Sequence, residues 1–442
     1  MSDEATTPTG IQAPRALVVT GSNTFPSDGR PTAGIFWANL LTRLRRLLGE
    51  LVVVTPTAYI PRPLLAMSRF AVQRRILPHQ WLDGVEVYRP PYLSYRAKKS
   101  LRLGAWLFYR SAARTCLRLH AGCPFDVVVG YEFGFSAYAA RRIARRLGLP
   151  CVSWAIGSDV NTSPGRSAGS YALVKGNVEG TDVVLTESDA LRQAILAKWP
   201  QARNIHTFYK GIDLRDTRLG VERRAELRAK FGLAQDAICM ISAGTVLKAK
   251  GVVEFYEAFV RLSQVLPKLR AIWVGGGPEA EPLRQRALRD GLADRFQITG
   301  NLARSAVLEY MQAADVMAFP SHMEGLPNVV MEALACGLPT VATAVGGTAE
   351  VLVHERTGLL VPPKDPKALA DAVGRMLANR PWAHELAVRG SRFVNDYFDV
   401  DKNAPVALDI LQRVVRREPP QTPVRACAGV RPGHLPAEEL QT

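Results

Sequence analysis

The chain has 442 residues, 47% hydrophobic and 22% charged, with 56 Lys+Arg against 40 Asp+Glu for a net charge of +16. That length exceeds one typical core and points to two domains of about 200 residues each, and the apolar fraction excludes a natively disordered chain. Six cysteines without C-x-x-C spacing, and the lack of a charge-free apolar run near 18 residues, argue against a disulfide framework, a zinc site and a spanning helix.

In chain order, the start "MSDEATTPTG" is acidic and polar without an apolar h-region, so a cytoplasmic protein is expected. Short β-branched runs follow at "ALVVT" (16–20), "LVVVT" (51–55), "DVVVG" (126–130), "CVSWAIG" (151–157) and "DVVLT" (182–186), with helical patterns between them at 35–48 and 136–148. Such alternation predicts a doubly wound parallel sheet. "FYKGIDLRDTRLG" (208–220) breaks the pattern, which then restarts at "AICMISAG" (237–244), "LRAIWVGGG" (269–277), "RFQITG" (295–300), "DVMAFPS" (315–321) and "PTVATAV" (339–345), flanked by helices at 252–266 and 366–379. The fold class is therefore α/β, two Rossmann-like domains, with ligands expected at the carboxyl ends of the strands.

One stretch, "SHMEGLPNVVMEALACGLPTVATAVGG" (321–347), places Glu324 and Glu332 eight positions apart. It reads as strand, loop and helix, with Pro327 at the first helical position and Gly337-x-Pro339 closing the helix. The amides of Gly325, Leu326 and Asn328 then fall at a helix N-terminus suited to an anion. Glu332 would stand about 7 Å farther along at about 1.5 Å per residue. A diphosphate at the tip would present one hydroxylated ring to Glu324 and another to Glu332, which is the layout of a nucleotide-sugar; carboxylates accept from vicinal hydroxyls without a metal.

This segment resembles the E-x7-E motif of the retaining glycosyltransferases of family 4, which have the GT-B fold of two Rossmann-like domains facing across a cleft. "AGTVLKAKGVVEFYEAF" (243–259) looks like the family's G-R-L-x-x-x-K-G segment, and "AIWVGGGPE" (271–279) like its V-G-x-G-P turn. "FPSDGRPTAGIF" (25–36) resembles the acceptor-side glycine loop, and "GSDV" (157–160) the G-[ST]-D-[VI] element. The likeness covers roughly residues 16–380 and lies nearest to bacterial members that build exopolysaccharide or teichuronic-acid-type polymers. It implies that Glu324 holds donor-sugar hydroxyls, Glu332 the ribose, and Lys250 the diphosphate of the departing nucleotide, so that Glu324 and Lys250 are the catalytic pair. Gly244, Thr245, Gly325, Leu326, Pro327 and Asn328 complete the donor side, with close backbone approach at Gly346 and Gly347; Gly34 and Asp159 stand on the acceptor side. Two departures are visible. Thr245 occupies the place of the family's arginine, which leaves open whether Lys248 substitutes. Ile156 stands where many members carry a histidine.

Composition makes 1–14 a disordered start and 418–442 a disordered Pro-rich tail, and the resemblance makes 15–210 the N-terminal acceptor-side domain, 211–385 the nucleotide-sugar domain and 386–417 helices returning to the N-terminal domain. No cofactor or metal is expected, the nucleotide-sugar being a co-substrate. The implied activity is hexosyl transfer from a UDP- or GDP-sugar to a saccharide or polyprenyl-linked acceptor. Alternatives are a non-catalytic nucleotide-sugar-binding protein and a GT-B sugar-nucleotide epimerase. Gly275, Gly277 and Ala280 also fit a weak dinucleotide fingerprint. Asp159 either meets acceptor or caps its segment.

Charge is uneven: residues 1–200 hold 25 Lys+Arg against 13 Asp+Glu, and residues 201–442 hold 31 against 27. Between Glu86 and Asp126 there is no acid, while Arg89, Arg96, Lys98, Lys99, Arg102, Arg110, Arg114 and Arg118 all occur. Interleaved stacking aromatics are missing, which excludes a nucleic-acid partner. With Trp106 and Phe108 nearby, the run is expected to dock peripherally on an anionic membrane, on the inner face of the plasma membrane, as a polyprenyl-linked acceptor would require.

Overall fold

A run of β-branched residues becomes a strand buried on both faces when helices cover both sides of a parallel sheet. The computed structural model describes residues 13–22, 25–28, 33–61, 67, 75–94, 101–217 and 221–420. The expected terminal tails, and Arg96, Lys98 and Lys99 of the basic run, lie wholly or mostly outside them. The described residues form two units. One runs to Asp213 and resumes at Val400; the other is Leu214–Asp399.

In the first unit the strands are β1 (Arg15–Val19), β2 (Glu50–Val54), β3 (Thr57–Ala58), β4 (His79–Leu82), β5 (Val85–Tyr88), β6 (Pro91–Tyr92), β7 (Val127–Tyr131), β8 (Cys151–Ala155), β9 (Val183–Thr186) and β10 (Ile205–Thr207). Eight of them form a sheet in the order β10-β9-β8-β7-β1-β2-β5-β4, and β3 pairs with β6. Every pairing in the large sheet is parallel except the β4–β5 hairpin. That hairpin turns on Asp83 and Gly84, at φ 48° and 81°, the Asp-Gly turn that suits the twist of two strands. Alternate residues divide between the two faces. Ala16 and Val18 join Trp37, Leu40, Leu41 and Leu44 of the helix Ile35–Arg45; Leu17 and Val19 join Phe108, Ala112 and Cys116 of the helix Leu101–Gly122.

The second unit holds β11 (Ile238–Ala243), β12 (Leu269–Val274), β13 (Phe296–Ile298), β14 (Val316–Phe319), β15 (Thr340–Thr343) and β16 (Leu359–Val361) in the order β13-β12-β11-β14-β15-β16. All are parallel. The order reverses between β11 and β14, so the carboxyl ends of these two strands flank the switch point where open α/β sheets bind ligands.

Two expectations need correction. The chain leaves the first unit after Asp213, inside the expected break at 208–220 and three residues past 210, but it returns at Val400 rather than at 386. The helix Arg380–Tyr397 stays with the second unit because Leu386 joins its core and Gly390 lies so close to the helix Asn328–Ala335 that a Cβ there would meet Leu334 Cδ2 at 2.7 Å. The helix that returns, Val400–Val415, packs on the Ile35–Arg45 helix through Ala404, Ala407 and Leu411. Phe108 is the second correction. It is buried at 3% exposure, edge-on to Tyr92 and tilted against Phe135, and cannot settle at a membrane interface.

Departure and return are tied together. Val400 N donates to Ile212 O at 3.0 Å, Asn403 Nδ2 donates to Tyr209 O at 2.9 Å, and Arg43 reaches Asp213 at 3.0 Å and Asp401 at 2.8 Å. Arg43 and Asp213 are both buried, whereas the Asp401 side chain is 56% exposed. Removing one partner of a buried pair leaves an uncompensated charge, at a cost of about 3–5 kcal/mol. Arg43→Ala is therefore expected to lower unfolding free energy by about that much in denaturant titration, and Asp401→Asn by less than about 1 kcal/mol.

Candidate functional site

Glycine decides how closely the loops at the carboxyl edge of the second sheet approach. The loop after β14 passes between two of them. A Cβ on Gly251 (φ 74°) would lie 1.9 Å from Pro320 O, and one on Gly346 (φ 51°) 2.0 Å from Glu324 O. On one side His322 N donates to Ala249 O at 3.0 Å; on the other Gly347 N donates to Gly325 O at 3.0 Å. Thr343 Oγ1 donates to Ser321 O at 2.5 Å, anchoring the loop's start.

This arrangement carries Lys250, at the end of the turn Lys248–Lys250, to Glu324: Nζ to Oε1 is 2.7 Å, with the lysine side chain 36% and the glutamate 11% exposed. The helix begins at Asn328. Pro327 is its extended N-cap residue (φ −78°, ψ 99°) and not the first helical residue expected, because its carbonyl already accepts from Val330 N at 3.1 Å. No side chain caps this end, and Asn328 Oδ1 is buried without a hydrogen-bond partner. Glu332 follows one turn later, 5% exposed, and Arg304 Nε donates to its Oε1 at 2.7 Å. Burial raises the Glu332 carboxyl above its ordinary range, and Arg304 opposes the rise.

Gly244 and Thr245 follow β11 and are exposed, as is Lys248; Leu326 is buried. The glycines of the 275–277 turn support this corner: a Cβ on Gly275 would lie 2.0 Å from Gly244 O, and one on Gly277 2.4 Å from Val246 O. Val246 N donates to Gly276 O at 3.1 Å. Close packing of the 244–246 loop thus accounts for the glycines that also fit a dinucleotide fingerprint.

Gly34 and Asp159 belong to the first unit. Gly34, at φ 60° and ψ 27°, precedes the Ile35–Arg45 helix, and its carbonyl accepts from Trp37 N and Ala38 N. Asp159 is 4% exposed, and its Oδ2 accepts from Phe133 N at 2.7 Å and Ile156 N at 3.1 Å, so the capping role is the one visible. Burial, then the neighbouring Glu132, hold its carboxyl well above the usual range.

Sequence reasoning missed several partners. Arg304 stands 28 positions from Glu332, and Glu254 Oε1 meets His322 Nε2 at 2.9 Å across 68 positions. In the first unit Tyr131 donates to Glu187 at 3.1 Å, and the buried Lys210 also reaches Glu187. Nothing in local spacing marks such pairs.

Because Gly346 has both a positive φ and a backbone oxygen where a Cβ would go, Gly346→Ala must move the Glu324 loop. The expected result is a loss of roughly 2–4 kcal/mol in unfolding titration with collapse of any activity, while Gly232→Ala (φ 65°, open space) is expected to cost about 1 kcal/mol.

Comparison with known proteins gives the relatives of the chain. The model of "Glycosyl transferases group 1" matches residues 223–392. A putative teichuronic acid biosynthesis glycosyltransferase, TuaC, of Bacillus subtilis is 29% identical over 385 residues, which is 87% of this chain and 95% of that protein. A GDP-mannose-dependent alpha-(1-6)-phosphatidylinositol monomannoside mannosyltransferase of Mycobacterium tuberculosis is 30% identical over 53% of this chain and 62% of its own length. Among solved structures, sucrose-phosphate synthase of Thermosynechococcus elongatus superposes with TM-score 0.74 at 21% identity, covering 92% of this chain and 100% of that one. Anabaena Alr3699/HepE, solved with UDP, superposes with TM-score 0.69 at 20% identity over 90% and 99%. Both structures speak to the fold, which is GT-B. The chain thus carries a glycosyl transferases group 1 domain at residues 223–392 and is similar over most of its length to a glycosyltransferase of Bacillus subtilis.

Proposed function

We propose that the chain is a retaining glycosyltransferase of family 4 that moves a sugar from a UDP- or GDP-sugar to a saccharide acceptor in cell-surface polysaccharide synthesis. The observation that carries this reading is the Lys250–Glu324 pair, 2.7 Å apart beside an uncapped helix start at the sheet's switch point. The pair offers a cation for a diphosphate next to an acceptor for sugar hydroxyls. Lys250 and the helix end stabilise the charge that grows on the departing nucleoside diphosphate, Glu324 holds the donor sugar, and Glu332 the ribose. The charge on the leaving group is met by Lys250, so the scheme calls on no metal. The Bacillus relative is named for teichuronic acid biosynthesis and the mycobacterial one for GDP-mannose dependence, which supports nucleotide-sugar chemistry at a cell-surface polymer.

We further read the acceptor as polyprenyl-linked, with the chain peripheral on an anionic membrane. No helix of the described residues is long and apolar enough to cross a membrane. On the Leu101–Gly122 helix Arg102, Trp106, Arg110, Arg114 and Arg118 are exposed at four-residue spacing, each about 40° round from the last, so they trace a winding exposed stripe, and Arg110 lies 4.9 Å over the Trp106 ring. Exposed Leu103 adds apolar surface, and the neighbouring helix Phe135–Leu147 adds exposed Arg142, Arg145 and Arg146.

Lys250→Ala is expected to lower kcat by on the order of 100-fold. Glu324→Gln should cost turnover more than nucleoside-diphosphate affinity. Both are read by product formation from a panel of UDP- and GDP-sugars, with the anomeric configuration of product assigned by NMR. Inversion of that configuration ends the retaining assignment, and donor consumption no faster than buffer alone ends the enzyme reading.

On vesicles, binding is expected to need anionic lipid and to weaken at high salt, since each cation near such a surface contributes about 1 kcal/mol, screened within about 10 Å at 0.1 M salt. Replacing Arg102, Arg110, Arg114 and Arg118 by Gln should abolish co-sedimentation without unfolding. Equal pelleting of the two proteins removes the membrane role of this stripe.

A further inference from the structure

We propose that Arg304 is a positioning residue of the nucleotide site, holding the Glu332 carboxylate ionised and in the orientation that meets the ribose diol. The inference rests on the reading of Glu332 as the ribose acceptor and adds to it what keeps that acceptor competent.

Glu332 lies in a helix whose residues Val330, Met331, Ala333, Leu334 and Ala335 are all buried, and its own side chain is 5% exposed. A lone carboxylate in such surroundings takes up a proton rather than stay charged. Arg304 supplies the counter-charge from another element. It is the first residue of the helix Arg304–Ala313, 17% exposed, and its Nε sits 2.7 Å from Glu332 Oε1. Its place is not explained by its own helix. The N-terminal end is the positive end of the macrodipole, where a cation is disfavoured, and this helix has no acid in its first turn to offset it. The partner explains the position.

Donation through Nε also fixes direction. With Oε1 taken from the side of the 304–313 helix, rotation of the carboxylate about its last bond is restrained. A ribose diol then meets a charged and oriented acceptor, and charge-assisted hydrogen bonds are the stronger kind. The other groups nearby leave this role to Arg304. Cys336 lies one turn along the same helix; Glu350, on the short helix Thr348–Val351, is buried and has its own partner; Glu385 and Arg389 of the Arg380–Tyr397 helix pair with each other in half-exposed positions. Glu309 of the 304–313 helix is taken by Lys230.

The test is calorimetric affinity for UDP and GDP between pH 6 and 9, expressed as the ratio of variant to wild-type Kd so that titration of the ligand's terminal phosphate cancels. Without Arg304 the carboxyl rises further, so Arg304→Met is expected to weaken binding about 10-fold at pH 6 and about 2-fold at pH 9, recovering as rising pH ionises Glu332. Arg304→Lys keeps the charge and should stay within about 3-fold of wild type. Arg304→Gln is the second variant should the methionine fail to fold, with the same pH trend expected. Glu332→Gln should weaken binding about 10-fold at every pH, and the double variant Arg304→Met/Glu332→Gln should be no weaker than Glu332→Gln alone. Binding of 2′,3′-dideoxynucleoside diphosphates should ignore both changes. A ratio for Arg304→Met that does not vary with pH, or one that multiplies with Glu332→Gln, overturns the proposal while leaving the ribose reading intact. Wild-type affinity in Glu332→Gln overturns the ribose reading itself, and the proposal with it.

Discussion

The second unit's site depends on a contact that only glycine permits. The backbone oxygens of Pro320 and Glu324 lie where the Cβ atoms of Gly251 and Gly346 would be, at 1.9 and 2.0 Å. Three loops, after β11, β14 and β15, are thereby drawn to one point. Everything chemical follows from that approach. The turn before Gly251 brings Lys250 to Glu324, and the turn at Gly346 and Gly347 clamps the other side through Gly325. A side chain at either glycine would part the loops, and a lysine and glutamate 74 positions apart in sequence would no longer meet. The corner formed by Gly244, Gly275 and Gly277 repeats this device one strand over, where a backbone oxygen again takes the room of a Cβ.

Once loops meet this closely, charges must be matched. Glu324 is matched by Lys250 and Glu332 by Arg304, each cation arriving from a different loop or helix. The lysine pair is the more open of the two, with Nζ on a side chain 36% exposed, whereas the arginine pair is nearly enclosed. A point charge on a flexible stem suits the diphosphate role proposed for Lys250; a planar guanidinium suits a fixed carboxylate. The two glutamates of one motif are thus held by different chemistry, which supports the proposed division in which Glu324 touches the transferred sugar and Glu332 the departing nucleotide.

Much of this was legible in sequence for a simple reason. Strands buried on both faces are written as unbroken β-branched runs, so β1, β2, β7 and β9 announce themselves, and a motif confined to residues 321–347 keeps its spacing whatever the rest of the chain does. What escaped depends on partners that no local spacing reveals. Arg304, Glu254 and Lys210 each bond a residue on another element. The return of the chain was misplaced because the helix Arg380–Tyr397 has the same amphipathic pattern whichever unit it faces; only Gly390 against Leu334 settles the matter. Phe108 shows a different failure. Trp106 and Phe108 are two residues apart, about 200° around a helix at 3.6 residues per turn, so both cannot face the same surface. Composition does not distinguish the two aromatics of the basic run, and the helical period does: Trp106 is 40% exposed and Phe108 is 3%.

Asp159 shows the corresponding edge of the first unit, where backbone amides hold the carboxylate. In the first unit Glu187 has Lys210, but Asp159 is held by two backbone amides, both on Oδ2, and faces Glu132 and Glu187 at a distance that only raises its affinity for a proton. Glu132 itself sits at φ 79°, a strained conformation for a residue with a Cβ, directly after β7. Amide donation stabilises the charged form, yet burial and the like charge of Glu132 outweigh it, and the balance lies on the protonated side of an ordinary aspartate. At Asp159 the backbone amides oppose the effect of burial, whereas at Glu332 the opposing pull comes from the Arg304 guanidinium. The carboxyl edges of the two sheets therefore differ in kind: the second unit holds the ion pairs Lys250–Glu324 and Arg304–Glu332, and the first a buried aspartate held by backbone amides near Glu187, which Lys210 meets.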